Sequence, residues 1–187
     1  MRRLFAFLLC LFAPLAACAQ SPAPTNAPAN GFDFLIGEWS LDVRVKVSGL
    51  AAWIHGTPKL TGTLRAWRTA DGIDDELRIV DASGNPRSTT RSRRTFDAAT
   101  ARWSIASLDP YDARDGAASA RLEDGEMRVE GSYRKGDART LTRTRYYAIA
   151  PDAFRLRQDR STDDGATWDE GAFEYDAKRI APAAAPR

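Results

Sequence analysis

The sequence predicts an all-β protein, a closed antiparallel up-and-down barrel of roughly ten strands with a short N-terminal helical plug. Strand patterns recur about every eight to twelve residues, with turn residues between them. No segment beyond the N-terminal region has a convincing helical pattern, apart from the plug. A meander of this length has two unpaired edges unless its first and last strands meet, so closure into a barrel is favoured.

The first predicted strand has the clearest pattern. At positions 39–47, Trp, Leu and Val at odd numbers alternate with polar or charged residues at even numbers. One apolar face and one charged face indicate a half-buried strand. Four apolar side chains precede it within five positions, which favours a short helical plug: Phe32, Phe34, Leu35 and Ile36. Gly37 then allows a backbone conformation that a Cβ would forbid. We expect Trp39 to be buried at the closed end, under Phe34 and Ile36.

The remaining strands follow with short turns between them. The predicted ranges are 39–47, 59–68, 74–81, 88–96, 102–108, 117–122, 127–134, 141–149, 154–160 and 168–176. The barrel is expected to span 32–180, between a flexible tether at 18–31 and a disordered tail at 181–187. A signal peptide is predicted at 1–17.

The N-terminus predicts export and lipid attachment. Arg2 and Arg3 precede an apolar segment that is short for a bilayer span. Leu15-Ala16-Ala17-Cys18 has the pattern of a bacterial lipobox, in which small residues admit the peptidase and the thiol accepts a diacylglyceryl group. Ordinary cleavage after Ala19 is the alternative. We predict a lipid-anchored envelope protein held to the membrane through Cys18. Because Ala19 follows Cys18, analogy with enteric bacteria favours the outer membrane, facing the periplasm.

Composition excludes several classes of protein. There are two cysteines, and Cys10 lies in the predicted signal peptide, so the mature chain has no pair for a disulfide. Of the 27 Lys and Arg residues, Arg2 and Arg3 are removed with the signal peptide, which leaves 25 against 25 Asp and Glu. This balance gives no reason to expect nucleic-acid binding, although basic residues cluster at Arg87, Arg91, Arg93 and Arg94.

A family resemblance rests on both ends of the predicted barrel. Phe32-x-Phe34-x-x-Gly37-x-Trp39 resembles the opening of lipocalin-like (calycin) barrels. It is most similar to a bacterial lipocalin-like family whose last strand follows a Gly-x-Thr-Trp turn, present here as Gly165-Ala166-Thr167-Trp168. The resemblance covers roughly 32–180. It implies a closed antiparallel barrel with an interior cavity, and it implies no activity.

The same turn lies in an Asp-box pattern, Ser-x-Asp-x-Gly-x-Thr-Trp, at 161–168. Its Asp163 is expected to accept backbone N–H bonds across a hairpin, while Gly165 takes a positive φ and Trp168 packs beneath. Asp boxes repeat in sialidase propellers, but a single copy does not support a propeller. We interpret this one as a structural hairpin staple.

Neither a metal site nor a catalytic site is predicted. His55 is the only histidine and lies in a loop, so the chain lacks the set of His and Cys ligands that zinc or haem would use. The acidic pairs Asp74-Asp75, Asp163-Asp164 and Asp169-Glu170 lie at turns or strand starts, where Asp is common. We therefore predict no cofactor and no enzymatic activity.

Polar residues on late strands predict a binding site. If Phe154 and Leu156 point inward, Gln158 and Arg160 do so as well, because strand side chains alternate. The same parity places Tyr133 inside. Arg143 and Arg145 would join them if Leu141 points inward. Solvated or carboxylate-paired arginines are the alternative.

We predict non-covalent binding of a small, partly apolar ligand, for which an anionic group would suit the arginines. The first alternative is a structural or partner-binding envelope lipoprotein with a filled barrel. The second is an enzyme acting in the cavity. A cavity of several hundred Å³ would favour ligand binding over a filled barrel.

Overall fold

The computed structural model describes residues 31–47 and 58–181. The predicted signal peptide, Cys18, Trp53 and His55 lie outside these residues, as do the tether and the tail apart from Gly31 and Ala181. Within the described residues no helix is long and apolar enough to cross a membrane.

One 3₁₀ turn and ten strands make up the described chain. The 3₁₀ turn spans Phe32–Leu35. The strands are β1 (Gly37–Val45), β2 (Leu60–Arg68), β3 (Gly72–Asp81), β4 (Pro86–Asp97), β5 (Arg102–Asp109), β6 (Arg114–Glu123), β7 (Glu126–Lys135), β8 (Ala138–Tyr147), β9 (Ala153–Ser161) and β10 (Asp169–Ala181).

The strands form one closed antiparallel barrel in chain order, which confirms the predicted fold class. Each strand pairs with its neighbours in sequence, and β1 closes the barrel by pairing with β10, with Val43 opposite Tyr175. Closure leaves no unpaired sheet edge. Several strands are longer than predicted, notably β6 and β10, because the hydrogen-bonded ladder continues where the apolar alternation has faded.

The plug, residues 31–36, covers the end of the barrel at which β1 begins, which we call the closed end. Phe32 and Leu35 are its fully buried side chains, whereas Phe34 and Ile36 are half-buried. Phe34 and Ile36 pack against the core cluster that contains Trp39, and Phe32 and Leu35 insert deeper than these two predicted residues. The 3₁₀ turn points Phe32 and Leu35 into the core, where Phe32 packs edge-on against Trp103 and Tyr146.

Trp39 is completely buried at this end. Its indole N–H donates to the Leu35 carbonyl at 2.8 Å, and its ring packs edge-on against Phe154 at 4.7 Å between centroids. Gly37 connects plug and strand with a φ of 130°, a conformation that L side chains rarely adopt. Trp39, Leu41 and Val43 all face the core, so the predicted alternation of β1 is confirmed.

The opposite end, where β1 ends and β10 begins, we call the open end. It carries the connections 82–85, 110–113, 136–137 and 162–168. The strand ends that border these connections form the rim of the barrel.

Candidate functional site

The barrel encloses a cavity of about 430 Å³ between the plug and the open end. This volume lies in the range of small-molecule sites. The cavity favours the predicted ligand-binding barrel over the alternative of a filled interior. The closed end is packed with aromatic side chains, so the space that remains lies in the middle and toward the rim.

The cavity wall is divided by chemistry. Strands β1 to β3 contribute an apolar wall of Val45, Leu60, Leu64, Leu77 and Ile79. Hydroxyl-bearing residues face the cavity from two separate strands, β4 and β8: Ser88, Thr90, Ser92, Thr142 and Thr144. A cavity lined by both apolar and hydrogen-bonding residues suits an amphiphilic molecule.

Arg160 lies on β9 near the open end and lines the cavity. Its Nε donates to the Gln158 side-chain oxygen at 3.0 Å. No carboxylate of residues 31–47 or 58–181 lies within salt-bridge distance of its guanidinium. Asp169, opposite it in the register, is held instead by Lys46 at 2.6 Å. Burial is the largest cause that lowers the pKa of Arg160; the positive charge of Arg114 acts in the same direction, whereas Tyr133 and Asp169 act against it.

Two of the other predicted residues also line the cavity. The Gln158 amide donates to the Thr144 hydroxyl at 3.1 Å, which leaves its oxygen to orient Arg160. The centre of the Tyr133 ring lies near two cations, 5.9 Å from the Arg160 guanidinium and 5.2 Å from that of Arg114. Tyr133, Gln158 and Arg160 thus face the interior as parity requires, while their role in binding stays a prediction.

Arg114 is already neutralised, unlike Arg160. It contacts Asp109 at 3.0 Å and Asp112 at 2.9 Å. Asp109 is buried and also accepts a hydrogen bond from the Ser88 hydroxyl at 2.6 Å. Burial acts to raise the pKa of Asp109, but the hydrogen bonds it accepts outweigh burial, and the pKa is lowered. Asp109 therefore stabilises the rim as an anion and occupies Arg114.

Arg143 and Arg145 lie on the outer surface, so their predicted inward orientation is wrong. Arg143 stacks on the Trp168 ring at 3.8 Å, and Arg145 lies 3.6 Å from Glu126. The inward face of β8 carries Thr142, Thr144 and Tyr146 instead. Leu141 points outward toward the 162–168 connection, where its Cδ1 would lie 3.7 Å from a Cβ on Gly165. Its apolar surface is thus covered outside the barrel, which made it a misleading guide to parity.

A second polar group lies deeper and was missed by sequence reasoning. We call it the floor cluster: Asp75, Arg94, Tyr146 and Tyr175, all of which line the cavity and are buried. Asp75 and Arg94 form an ion pair. The sequence does contain a signal for Asp75, because strand residues two positions apart share a face and Asp75 shares its face with Ile73, Leu77 and Ile79.

The Asp-box loop has the predicted staple geometry. Asp163 accepts hydrogen bonds from the Thr167 backbone N–H at 2.9 Å, the Thr167 hydroxyl at 2.6 Å and the Ser161 hydroxyl at 2.7 Å. Gly165 has a φ of 92°. Trp168 is half-buried and donates to the Gly165 carbonyl at 3.1 Å. None of the Asp-box residues lines the cavity.

The geometry defines a class of protein: a ten-stranded up-and-down β-barrel with an amphiphilic internal cavity. In comparisons with known proteins, no family model matches the chain, and no curated protein does so either.

Proposed function

We propose that this protein binds a small, partly apolar ligand with an anionic group in the barrel cavity, without chemical conversion. The observation that carries this proposal is Arg160, a guanidinium that lines the cavity without an ion-pair partner in the described residues. The cavity also argues against the alternative of a structural lipoprotein with a filled barrel.

An arginine in this position calls for an anion. Removing a charge from water costs free energy unless the charge is paired, and burial already lowers the pKa of Arg160. Gln158 holds Nε, so the two terminal amino groups of the guanidinium are directed to other partners. A carboxylate accepts two parallel hydrogen bonds from such a fork.

The apolar wall favours a ligand whose remaining part is apolar. Leu64, Leu77 and Ile79 line the same cavity and offer surface to an aliphatic or aromatic group. Burial of such a group contributes roughly 25 cal/mol per Å² of apolar surface. A molecule with an anionic end at the rim and an apolar body inside would contact both Arg160 and the apolar wall.

The test is calorimetric titration of the mature chain carrying Cys18→Ser with decanoate and with decanol. Arg160→Ala should weaken decanoate binding by about 10- to 100-fold, the equivalent of a charge-assisted hydrogen bond, and decanol binding much less. Arg145→Ala is the matched control, because it removes the same side chain from the outer face of the neighbouring strand.

Equal losses for decanoate and decanol, or an equal effect of Arg145→Ala, would contradict the proposal. Native mass spectrometry of the same protein should show a co-purified anionic molecule that Arg160→Ala releases.

We further propose that the protein is held in the bacterial envelope by lipid on Cys18, in the outer membrane facing the periplasm. The support is Leu15-Ala16-Ala17-Cys18 and the Ala19 that follows. Membership of the lipocalin-like family is likewise a proposal, supported by the motifs at both ends of the barrel.

A further inference from the structure

The charged residues that line the cavity balance one another. Four arginines and four aspartates line it, so their formal charges sum to zero. Two of these arginines are occupied by carboxylates away from Arg160. Arg94 forms its buried ion pair with Asp75, and Arg87 contacts Asp81 at 2.9 Å. The cavity is therefore not a generally positive site, and the charge it offers to an anion depends on the neighbourhood of Arg160.

Arg114 is a second guanidinium close to Arg160. The two lie over the same Tyr133 ring, 5.2 Å and 5.9 Å from its centre. Arg114, however, contacts Asp109 at 3.0 Å and Asp112 at 2.9 Å. The Asp109 side chain is only 3% exposed, so water and salt screen this pairing less than they would screen a surface pair. An anion at Arg160 would therefore meet a neighbouring cation whose charge two carboxylates already balance.

The other cation at this end of the barrel is also occupied. Lys46 contacts Asp169 at 2.6 Å and does not line the cavity. One negative charge on a ligand would pair with Arg160. A second charge on the same head group would leave water without a cation of its own, near the carboxylates of Asp109 and Asp112, which is costly.

We propose, on the basis of the ligand-binding function above, that the cavity selects its ligand by the number of charges on the head group. It takes amphiphiles with a single negative charge, such as a carboxylate or a sulfate ester, and discriminates against the doubly charged head group of a phosphate monoester. Asp109 and Asp112 determine this specificity, because they neutralise Arg114 and leave Arg160 as the cation that receives the ligand.

Calorimetric titration with decyl sulfate and decyl phosphate, below the concentrations at which they form micelles, tests the selectivity. The two head groups have the same tetrahedral shape. At about pH 8 they differ by one charge, because the second pKa of a phosphate monoester is about 6. The mature Cys18→Ser chain should bind decyl sulfate about tenfold more tightly than decyl phosphate. Arg160→Ala should weaken the binding of both.

Asp112→Asn tests the role of the carboxylates. Asp112 pairs with Lys135 as well as with Arg114, so its substitution leaves the rim with one more positive charge. Affinity for decyl phosphate should rise about fivefold and affinity for decyl sulfate less, which narrows the preference. Asp164→Asn is the matched control, because it removes the same charge from an exposed position at the same end that does not line the cavity. It should leave the preference unchanged.

The outcomes distinguish this inference from the proposed function. Equal affinity for the two probes, tighter binding of decyl phosphate, or failure of decyl sulfate to bind a protein that binds decanoate overturns the charge selectivity and leaves Arg160-dependent binding of decanoate intact. An unchanged preference in folded Asp112→Asn, or an equal change in Asp164→Asn, overturns the role of Asp112. Should Asp112→Asn fail to fold, the two probes on the unsubstituted cavity still decide the selectivity. Absence of binding by decanoate and by both probes overturns both proposals.

Discussion

At the scale of a single residue, the Asp163 carboxylate stabilises the Asp-box turn through several hydrogen bonds. Its oxygens accept hydrogen bonds from one residue on each side of the turn between β9 and β10, Ser161 and Thr167. The hydrogen bond from the Thr167 hydroxyl is the largest cause that lowers the pKa of Asp163, to about 2 from an ordinary 3.8. A carboxyl with a lowered pKa stabilises the folded state above its unfolded pKa and loses that contribution as the pH falls through the folded value.

We therefore expect part of the stability of the Asp-box loop to be lost between about pH 4 and about pH 2. Asp163→Asn should show a smaller drop in melting temperature across this window than the unsubstituted protein. Thermal unfolding followed by circular dichroism at several pH values checks this. Parallel curves for the two proteins would show that Asp163 is not the titrating group.

Substitutions in the same loop should affect folding and not binding. Asp163→Ala removes the hydrogen bonds of the staple, and Gly165→Val should cost about 1–3 kcal/mol, because Val is strained at the positive φ. Thr162→Ala, at an exposed position in the loop, is the control. Decanoate affinity should fall only as far as folding does. Selective loss of binding at an unchanged melting temperature would mean that the loop is part of the site.

At the scale of an element, Arg179 on β10 attaches the plug to the barrel. Its guanidinium stacks over the Trp39 ring at 4.0 Å. It donates to the Ile36 carbonyl at 2.7 Å, the Phe34 carbonyl at 3.2 Å and the Pro151 carbonyl at 2.6 Å. A planar fork with several donors can satisfy these carbonyls together, which a single ammonium cannot.

Arg179→Ala should lower the free energy of unfolding by about 2–4 kcal/mol, through lost charge-assisted hydrogen bonds and the lost stacking on Trp39. Arg179→Lys should recover only part of this loss. Urea unfolding followed by tryptophan fluorescence measures it, with Lys178→Ala at the adjacent exposed position as control. Equal stability of the Ala and Lys variants would contradict a role for the planar fork.

At the scale of the whole molecule, the first described residues and the mouth of the cavity lie at opposite ends of the barrel. The described chain enters at the closed end through the plug, while Arg160 and the rim lie at the open end. A tether that begins at a lipid on Cys18 would therefore attach at the closed end and leave the mouth of the cavity free.

Cys18→Ser should abolish membrane fractionation without unfolding the barrel, because Cys18 lies before the first strand. Detergent-phase partitioning of the variant and the unsubstituted protein measures the anchor, and circular dichroism measures the fold. Equal partitioning of the two proteins would refute lipidation, and recovery in the inner membrane would count against the predicted sorting.

The sequence by itself determined the barrel and the inward face of its clearest strands. Trp39, Leu41 and Val43 alternate with exposed polar residues, and alternation is a local property that a single strand displays. Alternation likewise predicted that Gln158 and Arg160 face inward, because they share a strand face with Phe154 and Leu156. The Asp-box turn could be predicted for the same reason, since its hydrogen bonds join residues four positions apart or fewer.

Only the tertiary structure decided which polar residues of β8 line the cavity and which residues form its floor. On β8 both faces are polar, so only the neighbouring strands determine that Thr144 faces inward and Arg143 outward. Asp75 and Arg94 lie on adjacent strands, and their contact depends on the register between β3 and β4. The alternation of β3 places Asp75 on an inward face, but nothing local identifies its partner, because the two charges become stable in the interior only when the folded chain brings them together.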